Sequence, residues 1–169
     1  MSSSPVIANG VLIAQVENDA ESFTAGLKLS DGTTIWKKDR PRGANWTSPT
    51  VFGKKDKPRV ALQSKDGIAI IDPVSGEDQW TFQQGASTIP SSTVNGDIIL
   101  VPSNGLTALQ SRPDGKSHTQ LWQDNKLGPG TASPTISGNK FYVINKANVL
   151  TCAQVDSGEI IWRMRLKGP

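Results

Sequence analysis

One cysteine in 169 residues, Cys152, excludes an intrachain disulfide and any metal site built from several thiolates, and is neutral about redox compartment. Long apolar runs are missing too. No stretch approaches the roughly 18 residues that a membrane-crossing helix requires. The opening residues, Met1-Ser2-Ser3-Ser4-Pro5, carry neither the charged nor the apolar segment of a secretory signal, so the chain as given is expected to be soluble. Charge of one sign is scarce: 18 Lys and Arg against 15 Asp and Glu leave a formal +3, too small and too dispersed for a nucleic-acid or membrane-surface footprint. No apolar stripe at helical spacing occurs, so essentially no α-helix is expected. What remains, 36% hydrophobic and 20% charged residues, is the composition of an ordinary globular domain.

A repeat fills that domain. Four near-copies of one pattern end in a tryptophan preceded by a turn: Ser30-Asp31-Gly32 before Trp36, Val74-Ser75-Gly76 before Trp80, Pro113-Asp114-Gly115 before Trp122, and Asp156-Ser157-Gly158 before Trp162. The tryptophans recur at intervals of 44, 42 and 40 residues. Each copy opens on a small pair and a β-branched run: Ser4-Pro5-Val6-Ile7, Ser48-Pro49-Thr50-Val51, Ser91-Ser92-Thr93-Val94 and Ser133-Pro134-Thr135-Ile136. A turn and an apolar strand follow, as in Asn9-Gly10 before Val11-Leu12-Ile13-Ala14, Asn95-Gly96 before Ile98-Ile99-Leu100-Val101, and Gly138-Asn139 before Phe141-Tyr142-Val143-Ile144. Asn-Gly between apolar runs signals a type I′ hairpin, whose two central residues need positive φ. The second copy reads instead as a longer charged loop, Gly53 to Arg59. Third strands are expected over residues 24–29, 68–71, 106–109 and 149–153, and a short fourth strand carries each tryptophan.

Short strands repeating at about 40 to 50 residues are the signature of propeller blades. The expected fold is all-β, with four four-stranded antiparallel blades over residues 4–46, 47–89, 90–131 and 132–169. A lone blade has two apolar faces and can bury them only against neighbours. One indole per blade can pack onto the backbone of the next sheet, with glycine allowing close approach. Trp36, Trp80, Trp122 and Trp162, with Gly32, Gly76, Gly115 and Gly158, are therefore the expected docking residues.

The stretches Gly26 to Trp36, Ile70 to Trp80 and Cys152 to Trp162 resemble the tryptophan-docking repeat of quinoprotein-type (PQQ-like) propellers. That repeat has a small residue first, often Asp third, Thr or Ser before Gly, and Trp four residues after the Gly. The third copy departs: Gly115 and Trp122 are seven apart, and Lys116 to Gln120 reads as an inserted loop. The resemblance covers the whole chain and specifies fold, not function. The family includes dehydrogenases that bind pyrroloquinoline quinone (PQQ), an outer-membrane assembly lipoprotein, and many PQQ-like repeat proteins without known activity, frequent in planctomycete-type genomes. The chain is most similar to that last group. The family's enzymes hold the quinone beside calcium with an adjacent-cysteine disulfide, a glutamate, an asparagine and an aspartate base. None of these maps onto this sequence, so no catalytic, cofactor or metal residue is assigned and the expected cofactor is none.

Other candidates are weaker. His118, the sole histidine, reads as a solvated residue of the inserted loop, and Cys152 as a buried packing residue. Glu17, Asp19 and Glu21 cluster around Asn18 without the alternating ligand spacing of a calcium loop, which reads as a solvated hairpin tip. Lys54, Lys55, Lys57 and Arg59 read as a hydrated basic loop. Arg40, Arg42 and Trp46, in the crossing before the second blade, are the candidate partner-contact patch, because Arg and Trp anchor interfaces.

Seven- or eight-bladed rings are what this resemblance implies, so four blades make half a ring. The chain opens at one blade's Ser-Pro and stops at Lys167-Gly168-Pro169, where a fifth opening would fall, as though cut to the repeat. An open half-ring leaves an apolar face at each end. Two chains joined head to tail would close an eight-bladed toroid, a homodimer. The expected function is a non-enzymatic scaffold for protein interaction and assembly. The alternatives are a fragment of a PQQ-dependent dehydrogenase and an engineered or excerpted propeller piece with no ligand. By resemblance alone, the parent protein is periplasmic or otherwise extracytoplasmic.

Overall fold

The computed structural model describes residues 3–167. Sixteen strands form four sheets, each a four-stranded meander in sequence order. The first holds β1 (Val6–Ala8), β2 (Val11–Val16), β3 (Phe23–Lys28) and β4 (Thr34–Asp39). The second holds β5 (Thr50–Lys54), β6 (Lys57–Ser64), β7 (Gly67–Ile71) and β8 (Asp78–Phe82). β9 (Thr93–Asn95), β10 (Ile98–Val101), β11 (Leu106–Ser111) and β12 (His118–Asp124) make the third. β13 (Thr135–Ser137), β14 (Lys140–Ile144), β15 (Val149–Gln154) and β16 (Ile160–Arg165) make the fourth. Every pairing is antiparallel. Among the described residues the one helical element is a 3₁₀ turn, Asn125–Leu127, started by the Asp124 carboxylate, which accepts a bond from the Lys126 N–H.

The core lies between sheets. Three apolar clusters occur, one per junction. Ala8, Val11 and Ile13 meet Val60, Leu62 and Ile71; Phe52, Ile70 and Phe82 meet Ile99, Val101 and Leu109; Leu100, Leu106 and Ala108 meet Phe141, Val143 and Ala153. This is the layout required when neither face of a thin sheet can be buried within its own blade. The first strands of successive sheets touch, and a serine ladder binds the openings there. The Ser4 N–H donates to Ser48 Oγ (3.0 Å), Ser48 N–H to Ser91 Oγ (3.0 Å), and Ser91 N–H to Ser133 Oγ (2.9 Å).

Hairpin chemistry refines the sequence reading. Asn9 and Gly10 both take positive φ (48° and 76°), as a type I′ turn demands. In the third sheet the turn sits one residue later than expected, whereas in the fourth it falls at Gly138-Asn139 as read. Asn95 belongs to β9 and pairs with Ile98, so Gly96 (φ 59°) and Asp97 are the central residues; Ser137 likewise pairs with Lys140 around Gly138 (φ 59°) and Asn139. Glycine first with positive φ is the type II′ arrangement. The charged segment of the second copy is not an open loop. Gly53 pairs with Pro58 and Lys54 with Lys57, lengthening the hairpin to a tip at Lys55-Asp56.

A β-bulge recurs in all four sheets at the same place. Gly26, Ile70, Ala108 and Cys152 stand opposite Trp36, Trp80, Trp122 and Trp162, while their next residues pair two positions before the tryptophan, skipping Ile35, Gln79, Leu121 and Ile161. The extra residue turns the strand and re-aims the side chain that follows. Trp122 keeps this register despite its longer interval from Gly115. The segment read as an inserted loop is partly strand: His118, Thr119 and Gln120 pair with Ser111, Gln110 and Leu109.

Candidate functional site

The bulges deliver the indoles to the next blade. Trp36 Nε1 donates to Pro73 O (3.0 Å), and Trp122 Nε1 to Val155 O (2.9 Å). Each acceptor lies three residues before the glycine of the receiving turn, and the ring lies flat on that glycine. A Cβ on Gly76 would come within 2.6 Å of Trp36 Cδ2, and one on Gly158 within 2.8 Å of Trp122 Cδ2. Both glycines also take positive φ (75° and 71°), so no other L-residue fits without strain. Trp122 further stacks on Phe141, with centroids 5.6 Å apart.

The junction between the second and third blades uses other groups. Trp80 is 6% exposed, but its Nε1 donates to the Ser111 hydroxyl (3.2 Å) rather than to a turn carbonyl. Arg59 takes the place over Gly115, where a Cβ would meet its Nη2 at 2.6 Å; its Nη1 donates to the same Ser111 hydroxyl (2.7 Å). Arg59 is therefore buried between blades, not part of a hydrated loop. His118 is likewise no solvated turn residue: its ring lies 4.5 Å from that of Trp80 and 6.0 Å, edge-on, from Phe82.

Burial holds the His118 imidazole below its ordinary pKa of 6.5. The unfolded chain therefore takes up a proton first, and the fold is less stable in acid. His118 contributes its full stabilisation above about pH 6.5 and loses it as the pH falls toward and through the depressed folded value. Denaturant midpoints followed from about pH 8 to about pH 5 are expected to drop in the parent and to drop less in His118→Gln; parallel curves would remove this assignment.

Trp162 and Gly32 do not dock within the chain. Trp162 is 41% exposed, its ring 6.1 Å from Tyr142 of the same sheet, and nothing lies within 4 Å of a Cβ on Gly32. These residues sit at the two open ends of the stack. Cys152 is buried opposite Trp162, as a packing residue.

The patch of Arg40, Arg42 and Trp46 divides. Arg40 is buried against Glu17: its Nε donates to Glu17 Oε1 (2.8 Å), the side chains being 6% and 2% exposed, and Nη2 reaches Leu62 O (3.2 Å). The Arg40 guanidinium is engaged within the chain, and Glu17 is no part of a solvated tip. Asn45 completes the group, its Nδ2 donating to Glu17 Oε2 (2.8 Å) and to Gln63 O (2.8 Å). The Gln63 side chain then holds the next crossing, donating to Pro90 O (3.0 Å) and accepting from the Ser92 N–H (2.8 Å). Glu21 remains exposed and pairs with Lys37 (2.7 Å), which with that hydrogen bond keeps its carboxyl below the usual range. Trp46 and Arg42 are exposed. The Trp46 N–H is tied to Thr88 O (2.8 Å), next to Ile89, which lines a depression of about 390 Å³ with Pro102, Asn104, Pro129 and Lys146.

Among the described residues no three His, Cys, Asp or Glu side chains group to hold a metal, and the lone thiol is packed beneath Trp162. No helix among them is long and apolar enough to cross a membrane.

Four radial meanders stacked through indoles define a β-propeller. The family model described as outer membrane protein assembly factor BamB matches residues 111–169. No curated protein matches the chain. Among solved structures, BamB from Moraxella catarrhalis superposes with a TM-score of 0.73 at 16% identity, covering 95% of this chain and 50% of that one. The computationally designed Ika8 protein gives 0.69 at 9% identity, covering 96% and 48%. A quinohemoprotein alcohol dehydrogenase from Comamonas testosteroni gives 0.69 at 14% identity, covering 96% and 34%. At these identities the structural likeness establishes the fold alone, and the chain spans about half or less of each neighbour. Together with the docking geometry, these matches give the chain the fold of a β-propeller, with similarity to the BamB family model over residues 111–169.

Proposed function

We propose that the chain is a non-catalytic propeller scaffold for protein interaction, acting outside the cytoplasm and closing its ring by self-association. The observation that supports this reading most is where the buried polar side chains go. Glu17, Arg40, Asn45, Gln63 and Ser92 bind chain crossings to sheets, and Arg59 and Ser111 bind sheet to sheet, rather than converging on a cavity. Such a framework leaves recognition to the rim, where Trp46, Arg42 and Ile89 stand exposed around the crossings. BamB, the assembly factor whose family model matches the C-terminal third, is in keeping with a role of this kind.

The likeness to a quinohemoprotein alcohol dehydrogenase favours a second reading, an enzyme fragment. Titrating the protein with PQQ and calcium while following absorbance and dye reduction separates the two. The scaffold predicts no saturable binding and no turnover. Saturable binding with dye reduction overturns it.

A further inference from the structure

We infer that the open ends of the stack are the two halves of one joint, filled by a second copy of the same chain, with Trp162 of each copy seated on Gly32 of the other. This rests on the self-associating scaffold above and specifies its contact.

The internal junctions supply the rule. Trp36 and Trp122 each cover the glycine of the following blade and donate to the carbonyl three residues before it, Pro73 for Gly76 and Val155 for Gly158. Counting back from Gly32 gives the Leu29 carbonyl. Gly32 has the same left-handed backbone (φ 74°) as Gly76 and Gly158, yet the space over it is empty. Trp162 stands behind the same bulge as the docked tryptophans, and among the described residues its Nε1 has no acceptor. Donor and cradle are each complete and lack only the other.

The serine ladder points the same way. Each opening serine donates its N–H to the hydroxyl of the next, from Ser4 through Ser48 and Ser91 to Ser133. Among the described residues Ser133 N–H has no such acceptor, and Ser4 Oγ receives no such donor. Joining one copy's end to the other's start continues the ladder from Ser133 to Ser4 in unchanged register.

Apolar positions agree as well. Ile7, Leu12 and Leu27 occupy in the first sheet the places from which Val51, Val60 and Ile71 of the second sheet meet the preceding blade. Leu150, Trp162 and Met164 occupy in the last sheet the places from which Ile68, Trp80 and Phe82 meet the following blade. Ile7, Trp162 and Met164 are exposed. Because both faces belong to one chain, a two-fold axis satisfies both joints at once and closes eight blades.

Sedimentation or light scattering of the parent chain is expected to give about twice the 18.1 kDa monomer mass, with tryptophan emission moving to the blue on association. Trp162→Ala, at an exposed site, is expected to weaken association by about 30-fold or more, as truncation of an interface anchor does. Gly32→Ala places a methyl where the indole must lie and is expected to match it. Gly96→Ala is the control, with positive φ (59°) and open space in an internal blade. It carries the same backbone cost and is expected to associate as the parent does. A parent fixed at 18.1 kDa at high concentration overturns ring closure and the self-associating scaffold with it. A doubled mass unaffected by Trp162→Ala and Gly32→Ala overturns this joint while leaving self-association standing.

Discussion

Trp80→Ala is expected to destabilise the fold by about 3 to 5 kcal/mol, the range for truncating a buried indole. The ring is the most enclosed of the docking tryptophans, in a cluster with Phe52, Ile70, Phe82, Ile99 and Leu109. Its removal also withdraws the surface against which His118 packs and one of two donors to the Ser111 hydroxyl. The cavity would lie between two blades whose separate sheets cannot close it by small shifts, because each is held by its own ladder. Denaturant unfolding measures the change; a loss below about 0.5 kcal/mol, the size of an ordinary surface substitution, would mean that the indole does not hold the junction.

Arg40→Ala is expected to cost a comparable amount, about 3 to 5 kcal/mol, for an electrostatic reason. Glu17 is almost wholly enclosed, so removing the guanidinium strands a carboxylate with the Asn45 amide as its remaining donor. Loss of the pair is a different perturbation from loss of one member. Glu17→Leu combined with Arg40→Leu should recover the greater part of the stability, since a buried ion pair contributes little beyond an apolar pair of similar volume. A double-mutant cycle of Glu17→Leu and Arg40→Leu, each alone and both together, read by denaturant melts, reports the coupling. Equal losses in the single and double variants would show that the deficit comes from packing of the Arg40 stem or from the Leu62 carbonyl it leaves unpaired.

The spacing of Trp36, Trp80, Trp122 and Trp162 carried the architecture, because one enclosed aromatic per sheet is a requirement of stacking rather than of local conformation. Leu-, Ile- and Val-rich runs between turn residues located the strands to within one or two positions, apart from β5 and β6, whose hairpin runs on through the segment read as a loop. The misreadings share one cause. Charge and polarity describe a residue in isolation, whereas Glu17, Arg40, Arg59 and His118 owe their burial to partners 23 to 52 residues away or in another blade. A signal existed for Arg59: it falls at the place in β6 that Val11 holds in β2, an inward position of the apolar alternation. Glu17 continues the inward alternation of Val11, Ile13 and Gln15 one step past β2, whereas no apolar alternation marks Arg40, which follows β4. In the crossing from Arg40 to Trp46, Arg42 and Trp46 are exposed while the Arg40 side chain serves the interior.

The bulge before every tryptophan separates two properties that hairpins ordinarily couple. Ring direction is set by the skipped residue opposite the strand, so the number of residues at the adjoining tip can change without rotating the indole. The third blade already does this, carrying three more residues between Gly115 and Trp122 than its siblings have. The tip beyond Gly115, at Lys116 and Ser117, is thus a natural insertion port, a place on the outer edge where foreign peptide can be spliced for display while the stack beneath keeps its geometry.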